Sequence, residues 1–193
     1  FSATIPQMLR PFLQKYMKAP KIIEIDEHLS TSRNISHYLV PKKHRQRYEV
    51  LKEVMSIIDP YICLIFCNKR NEVEVGEIHG NLEPRERRQM MRRIKNMEYQ
   101  YIVATDIAAR GIDIDGASHI INMEFPTELD FYIHRSGRCG RGKYTGECYS
   151  MYDTTDQQLV EALERKGITF EMRELKGNQF IASKDRERRK SRV

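Results

Sequence analysis

Tyr61-Ile62-Cys63-Leu64-Ile65-Phe66 is the stretch on which the fold turns. It is apolar almost throughout, where a strand with one wet face would alternate, so it reads as a strand buried on both faces. From Pro60 onward the chain keeps a rhythm around it. Val75 to Ile78, Tyr101 to Val103, His119 to Asn122 and Glu147 to Tyr152 are further short strands. Glu83 to Asn96 is a helix with Met90, Ile94 and Met97 inward and Arg85, Arg88 and Arg92 outward. Tyr132 to Gly137 forms a helical turn, and Thr155 to Lys166 a last helix. Strands alternating with helices predict an α/β fold, a parallel sheet sandwiched by helices that binds ligands beyond the carboxyl ends of its strands.

Upstream of Pro60 the pattern is looser. Gln7 to Met17 is amphipathic, with Leu9, Phe12, Leu13 and Tyr16 at helical spacing. Ile22 to Ile25 and Ile35 to Val40 are strand-like, with polar Ser30 to Asn34 between them. His44 to Ile58 predicts a helix with Tyr48, Leu51, Val54 and Met55 inward. One connection is too short for the scheme. If Phe66 ends one strand and Val75 opens the next parallel one, Cys67 to Glu74 falls below the dozen or so residues a parallel crossover needs. Either those strands are misread or a helix is missing from the sequence, and the second reading is preferred.

The chain has 193 residues, 40% of them hydrophobic and 31% charged, enough for one domain core under a well-solvated surface. No run reaches the roughly eighteen apolar residues of a membrane span, and no signal-peptide pattern opens the chain. Cys63, Cys67, Cys139 and Cys148 form no CxxC pair, which points to a reducing, cytoplasmic setting. The net charge of +6 is unevenly spread. Arg85 to Lys95 holds six basic residues against one Glu, and Lys184 to Val193 six against Asp185 and Glu187. Concentrated cations suggest nucleic acid, whose phosphates supply most non-specific affinity. A solvated helix face and a plain tail are the competing explanation.

Two clusters carry the chemistry. His134-Arg135-Ser136-Gly137-Arg138-Cys139-Gly140-Arg141 spaces three arginines by three residues, with glycines that let the backbone approach a ligand. Arginine forks meet phosphate oxygens two at a time and never lose their charge. Arg-Gly segments also occur in flexible RNA-binding tails, but this one sits inside an α/β rhythm. Val103-Ala104-Thr105-Asp106-Ile107-Ala108-Ala109-Arg110-Gly111-Ile112-Asp113-Ile114 is a strand that runs into a tight turn of small residues. Hydroxyl and N–H groups there can hold a phosphate, and Asp113 can accept from a ribose. Gly137 to Lys143 also fits G-x-x-x-x-G-K, but Tyr144 replaces the Mg²⁺-binding Ser or Thr, and a strand follows where a phosphate loop opens a helix. The chain holds no triphosphate cradle and no metal-binding carboxylate pair.

In this order and wording the clusters resemble motifs V and VI of the DEAD-box ATP-dependent RNA helicases. Phe1-Ser2-Ala3-Thr4 is similar to their motif III, Leu64-Ile65-Phe66-Cys67-Asn68 to motif IV, and Ile78-His79-Gly80 to the start of motif IVa. The resemblance spans Ser2 to about Phe170 and implies a RecA-like C-terminal motor domain from a longer, bacterial protein. It divides the chain into 1–25, the end of a first RecA-like domain and a linker; 26–175, the C-terminal RecA-like domain; and 176–193, a basic tail. Arg138 and Arg141 would be arginine fingers on ATP, with His134 coupling them to Ser2, Thr4 and the catalytic carboxylates of the first domain. Asp113 and Gly111 would meet the nucleotide. Thr105, Gly80, Asn68 and Arg87 would contact RNA backbone, and Arg135 would brace motif V. Mg²⁺ and its ligands would belong to the absent N-terminal domain, the partner in cis. Pro84, in the place of a Gln three residues before Arg87, departs from the family pattern, as do Ser136 and Cys139. The alternative is a stand-alone RNA-binding or adaptor module without motor activity. A third, weaker reading is a DNA translocase of the same superfamily.

Overall fold

The computed structural model describes residues 10–18, 34–67, 77–78, 83–106, 117–126, 128–140 and 142–182. Among these, eight strands make one sheet: β1 (Ile35–Pro41), β2 (Cys63–Phe66), β3 (Glu77–Ile78), β4 (Tyr101–Ala104), β5 (His119–Asn122), β6 (Gly146–Tyr152), β7 (Phe170–Leu175) and β8 (Phe180–Ala182). Their order is β3-β4-β2-β5-β6-β1-β7-β8. Every pairing is parallel except β7 with β8. The fold is thus the expected α/β class, a mostly parallel sheet flanked by helices.

β2 is central because of what it is made of. All four of its residues are buried, and it pairs with β4 on one side and β5 on the other. Leu64 and Phe66 enter one core, with Ile102, Ile120, Tyr132, Leu163 and Ile94. Cys63 and Ile65 enter the other, beneath Val50, Leu51 and Val54. Each such side chain contributes about 1.5–3 kcal/mol by leaving water, so the sheet is clamped from both faces.

Among the described residues the helices are α1 (Arg10–Tyr16), α2 (Arg47–Ile57), α3 (Pro84–Lys95), α4 (Leu129–Ser136) and α5 (Gln157–Arg165). The starts of α2 and α3 are written in the chain. Glu49 and Glu86 each reach back to accept from the backbone N–H of Gln46 and Glu83, and Pro84 opens α3, where its missing N–H costs nothing.

Several expectations need correction. Tyr48 is 47% exposed, because the buried stripe of α2 is Val50, Leu51 and Val54; its ring lies under the Lys52 ammonium at the edge. Met97 is 46% exposed: α3 ends at Lys95 and Met97 takes a left-handed φ of 60°, so the helical period no longer aims its side chain. Phe12 and Tyr16 lie against each other in α1 with tilted rings but remain exposed. The turn at Tyr132 begins earlier, at Leu129. The last helix opens as a 3₁₀ turn at Thr154–Asp156. β7 and β8 lie beyond what was expected to be the last helix, and β8 draws residues 180–182 of the expected tail into the sheet. β2 and β3 both pair in parallel with β4, so Phe66 ends one strand and Glu77–Ile78 belongs to another of the same direction, while the opening expected at Val75 lies outside the described residues. Residues 68–76 of their connection lie outside the described residues, as does the strand expected at Ile22 to Ile25.

Candidate functional site

The arginine cluster starts from Arg135, the largest fully buried side chain of the described residues, at 1% exposure. It lies in the last turn of α4, directly after His134, and three carboxyl-end segments of the sheet converge on it. Its Nε and Nη2 donate to the two carboxylate oxygens of Asp106, just past β4, at 2.6 Å each. Nη1 donates to the Glu124 carbonyl at 2.9 Å and to Asn122 Oδ1 at 3.3 Å. The guanidinium also lies 5.0 Å over the ring of Phe66, the last residue of β2. A buried charge is tolerated only when it is paired and its N–H groups are used, and both conditions are met here.

Asn122 carries the network further into the core. Its Nδ2 donates to Ser150 Oγ at 3.0 Å, on β6, and lies 3.5 Å from Cys148 Sγ. On β1, His37 Nδ1 lies 3.0 Å from Tyr132 Oη, three residues before Arg135 on α4. Burial pushes the Cys148 thiol up to about 11 and the Tyr132 hydroxyl well above its usual value, so both stay protonated. Burial also lowers His37 to about 4, which keeps it neutral at ordinary pH.

Beyond Arg135 the chain leaves the helix at Gly137 and reaches Arg138, which is half-buried. Cys139 then docks inward: it bridges Ala117 ahead of β5, and its Sγ donates to the Ser136 carbonyl at 3.3 Å. Gly140 follows with φ 64°, packed against Ile35 so closely that an added Cβ would lie 2.7 Å from that side chain. The residue carrying the candidate finger is therefore pinned on both sides. The stretch from Gly142 runs through a turn into β6 rather than into a helix, which disposes of the phosphate-loop reading.

Of the other candidates, Thr105 sits half-buried at the carboxyl end of β4, next to Asp106. His134 lies half-buried on α4. Arg87 is on α3, and its side chain lies outside the described residues. Ser2, Thr4, Asn68, Gly80, Gly111, Asp113 and Arg141 also lie outside them. Sequence reasoning assigned Arg135 a bracing role but missed Asn122 and Glu124 as its partners. The signal for Asn122 was available: an amide ending an apolar strand must find partners once buried.

Comparison with known proteins bears on all of this. Residues 32–143 match the family described as helicase conserved C-terminal domain. The chain is 43% identical over 204 residues to the DEAD-box ATP-dependent RNA helicase CshB of Bacillus subtilis, covering 100% of this chain and 47% of that protein. It is 40% identical to the Staphylococcus aureus protein of the same name, covering 100% of this chain and 46% of that one. The chain thus spans about half the length of these relatives. A solved structure of S. cerevisiae Dbp5 bound to RNA and ADP BeF3 superposes with a TM-score of 0.73 at 24% identity, covering 91% of this chain and 50% of that one. That likeness is one of fold.

Proposed function

From the premise that this chain belongs to the helicase conserved C-terminal domain family, in its DEAD-box branch, we propose that it is the second motor half of an ATP-dependent RNA helicase. The observation that carries the reading is the brace on Arg135. Asp106, Asn122 and Glu124 accept four hydrogen bonds from that guanidinium within the domain, which supports an architectural role for it. The neighbouring His134, in the last turn of the same helix, and Arg138, just past its end, sit half-buried beside that brace, and preorganised groups of this kind are what charge stabilisation across a cleft needs.

Arg138 and Arg141 would hold the terminal phosphate of ATP, with Asp113 and Gly111 at the nucleoside. The donor set fits such a group: planar cations alternate with glycines, Gly140 among them at φ 64°, and a polyphosphate asks for bidentate charge and close backbone approach. Mg²⁺, held by carboxylates of the first motor domain, would offset phosphate charge when bound. The arginine forks would then stabilise the charge that spreads over the transferring phosphoryl oxygens. Thr105, Gly80, Asn68 and Arg87 would face RNA backbone, and recognition through phosphates and 2′-hydroxyls is largely independent of sequence. Closing the cleft would complete the RNA groove and open short duplexes locally, in the cytoplasm of the cell.

The test joins this chain to a first motor domain of the same family and measures ATP hydrolysis with and without RNA. RNA-stimulated turnover is expected for the joined protein and none for the 193-residue chain alone. Turnover by the chain alone, surviving repurification, would overturn the proposal.

A further inference from the structure

α3 carries more charge than its packing needs. Among the described side chains of this helix only Ile94 is fully buried, with Met90 and Met91 half-buried beside it. Arg93 is spoken for: it bonds Glu98 at 2.8 Å and its guanidinium lies 4.6 Å over the Tyr99 ring. Arg85, Arg88, Arg92 and Lys95 are different. All four are exposed, and none has a carboxylate partner among the described residues. At about 100° and 1.5 Å per residue they fall within a wedge of roughly 80°, opposite Ile94, along about 15 Å of helix. Glu86, the acidic residue of the helix, lies off that wedge and is occupied at its start. The direction of the track matters as well. α3 begins beyond the carboxyl end of β3, the end at which Thr105 leaves the neighbouring β4, and it runs down the sheet to lead back into β4.

We infer that Arg85, Arg88, Arg92 and Lys95 form a phosphate track for RNA that continues beyond the cleft, extending the contact from the carboxyl end of the sheet down its β3 edge. This rests on the RNA-binding reading above. Four exposed cations in line, with no carboxylate among them, suit a ligand with regularly spaced negative charge better than a protein surface, which mixes both signs. The track ignores base identity and adds length-dependent affinity. RNA that only fills the groove does not sense it.

The experiment compares the unaltered chain with a variant carrying Arg85→Gln, Arg88→Gln, Arg92→Gln and Lys95→Gln, by fluorescence anisotropy across a salt series. The probes are an oligouridine of about eight nucleotides and one of about thirty. Single-stranded binding loses about 0.7 in log K per log salt for each phosphate neutralised, so four contacts steepen the slope by up to about 3. The variant should lose that increment on the long probe and keep its short-probe affinity, with an unchanged melting temperature. Equal long-probe slopes in the two proteins, or a loss shared equally by both probes, would overturn the track. If the unaltered chain binds neither probe, the RNA reading itself fails, which is a separate result.

Discussion

Asp106 and Arg135 meet as a bidentate pair, each carboxylate oxygen taking one N–H at 2.6 Å. The pair links the residue just past the end of the β4 segment to the end of α4, across 29 positions of sequence. Arg135 is 1% exposed and Asp106 26%, so the pair is buried on one side and wet on the other.

Removing both members should therefore cost less than the two single losses added together. Asp106→Ala leaves a buried guanidinium without its carboxylate, a loss near the low end of the roughly 3–5 kcal/mol typical of broken buried pairs. Arg135→Met should cost a similar amount. The double variant should cost clearly less than the sum, because no charge is left stranded. Urea unfolding of the three variants measures this, and strict additivity would mean the pair is not coupled.

Arg138→Ala and Arg141→Ala, each in the protein joined to its first motor domain, should act on kcat. A finger meets charge that grows only in the transition state, and is worth on the order of 10³–10⁵ in rate in comparable phosphoryl transfers. With two sharing the duty, a single loss falls at the low end. Lys should rescue little, since a point charge lacks the fork. RNA binding without nucleotide and the melting temperature should hold. Near-normal turnover in both variants would overturn the finger assignment and favour the adaptor reading.

His37 gives a pH dependence with a definite sign. Burial lowers it to about 4, below its ordinary 6.5, so the unfolded chain takes up a proton that the native one refuses. Its stabilisation is full above about pH 6.5 and is lost as pH falls toward 4. Between about pH 7 and 4.5 the difference amounts to about 2–3 kcal/mol. Carboxylates titrate in the same window, so the comparison is with His37→Gln, which should lose that much less. Parallel curves for the two proteins would remove His37 as the cause.

Gly146→Ala should destabilise by about 1–3 kcal/mol, the usual cost of overfilling a packed site. Its Cβ would lie 2.6 Å from Cys139 Sγ and 2.6 Å from the Gly140 backbone nitrogen. Adding Cys139→Ala removes the first clash and leaves the second, so the double variant should recover only partly. Thermal melts decide it; full recovery would show that the backbone can move aside.

How much of this the sequence disclosed depends on where each signal lies. β2 and β5 were legible because burial on both faces leaves an apolar run, and α3 because cations and apolar residues segregate by helical period. Met97 misled because the period outlasts the helix by two residues, and only the left-handed turn reveals the end. β7 escaped because Glu171, Arg173 and Glu174 interrupt its apolar character, and its partner β1 lies far back in the chain. At the site, residue types and spacing singled out Thr105 and Arg138 as candidates, and the family resemblance added His134. They could not reveal that Arg135 would be satisfied by an amide 13 positions away and a carbonyl 11 away, since such partners are set by strand order.

That order has a consequence for how the chain is made. β1 pairs with β6 from Ile35↔Gly146 onward, so the first described strand waits for a neighbour 111 residues downstream. At roughly 5–20 residues per second, the ribosome delivers that neighbour only after about 6–20 seconds. Its other partner, β7, emerges later still. Throughout that interval β1 offers its backbone and the apolar Leu39 and Val40 to whatever is nearby, while β2, β4 and β5 can already assemble. Newborn chains stalled before Gly146 should therefore be captured by holdases through residues 35–41, and released once β6 has cleared the exit tunnel.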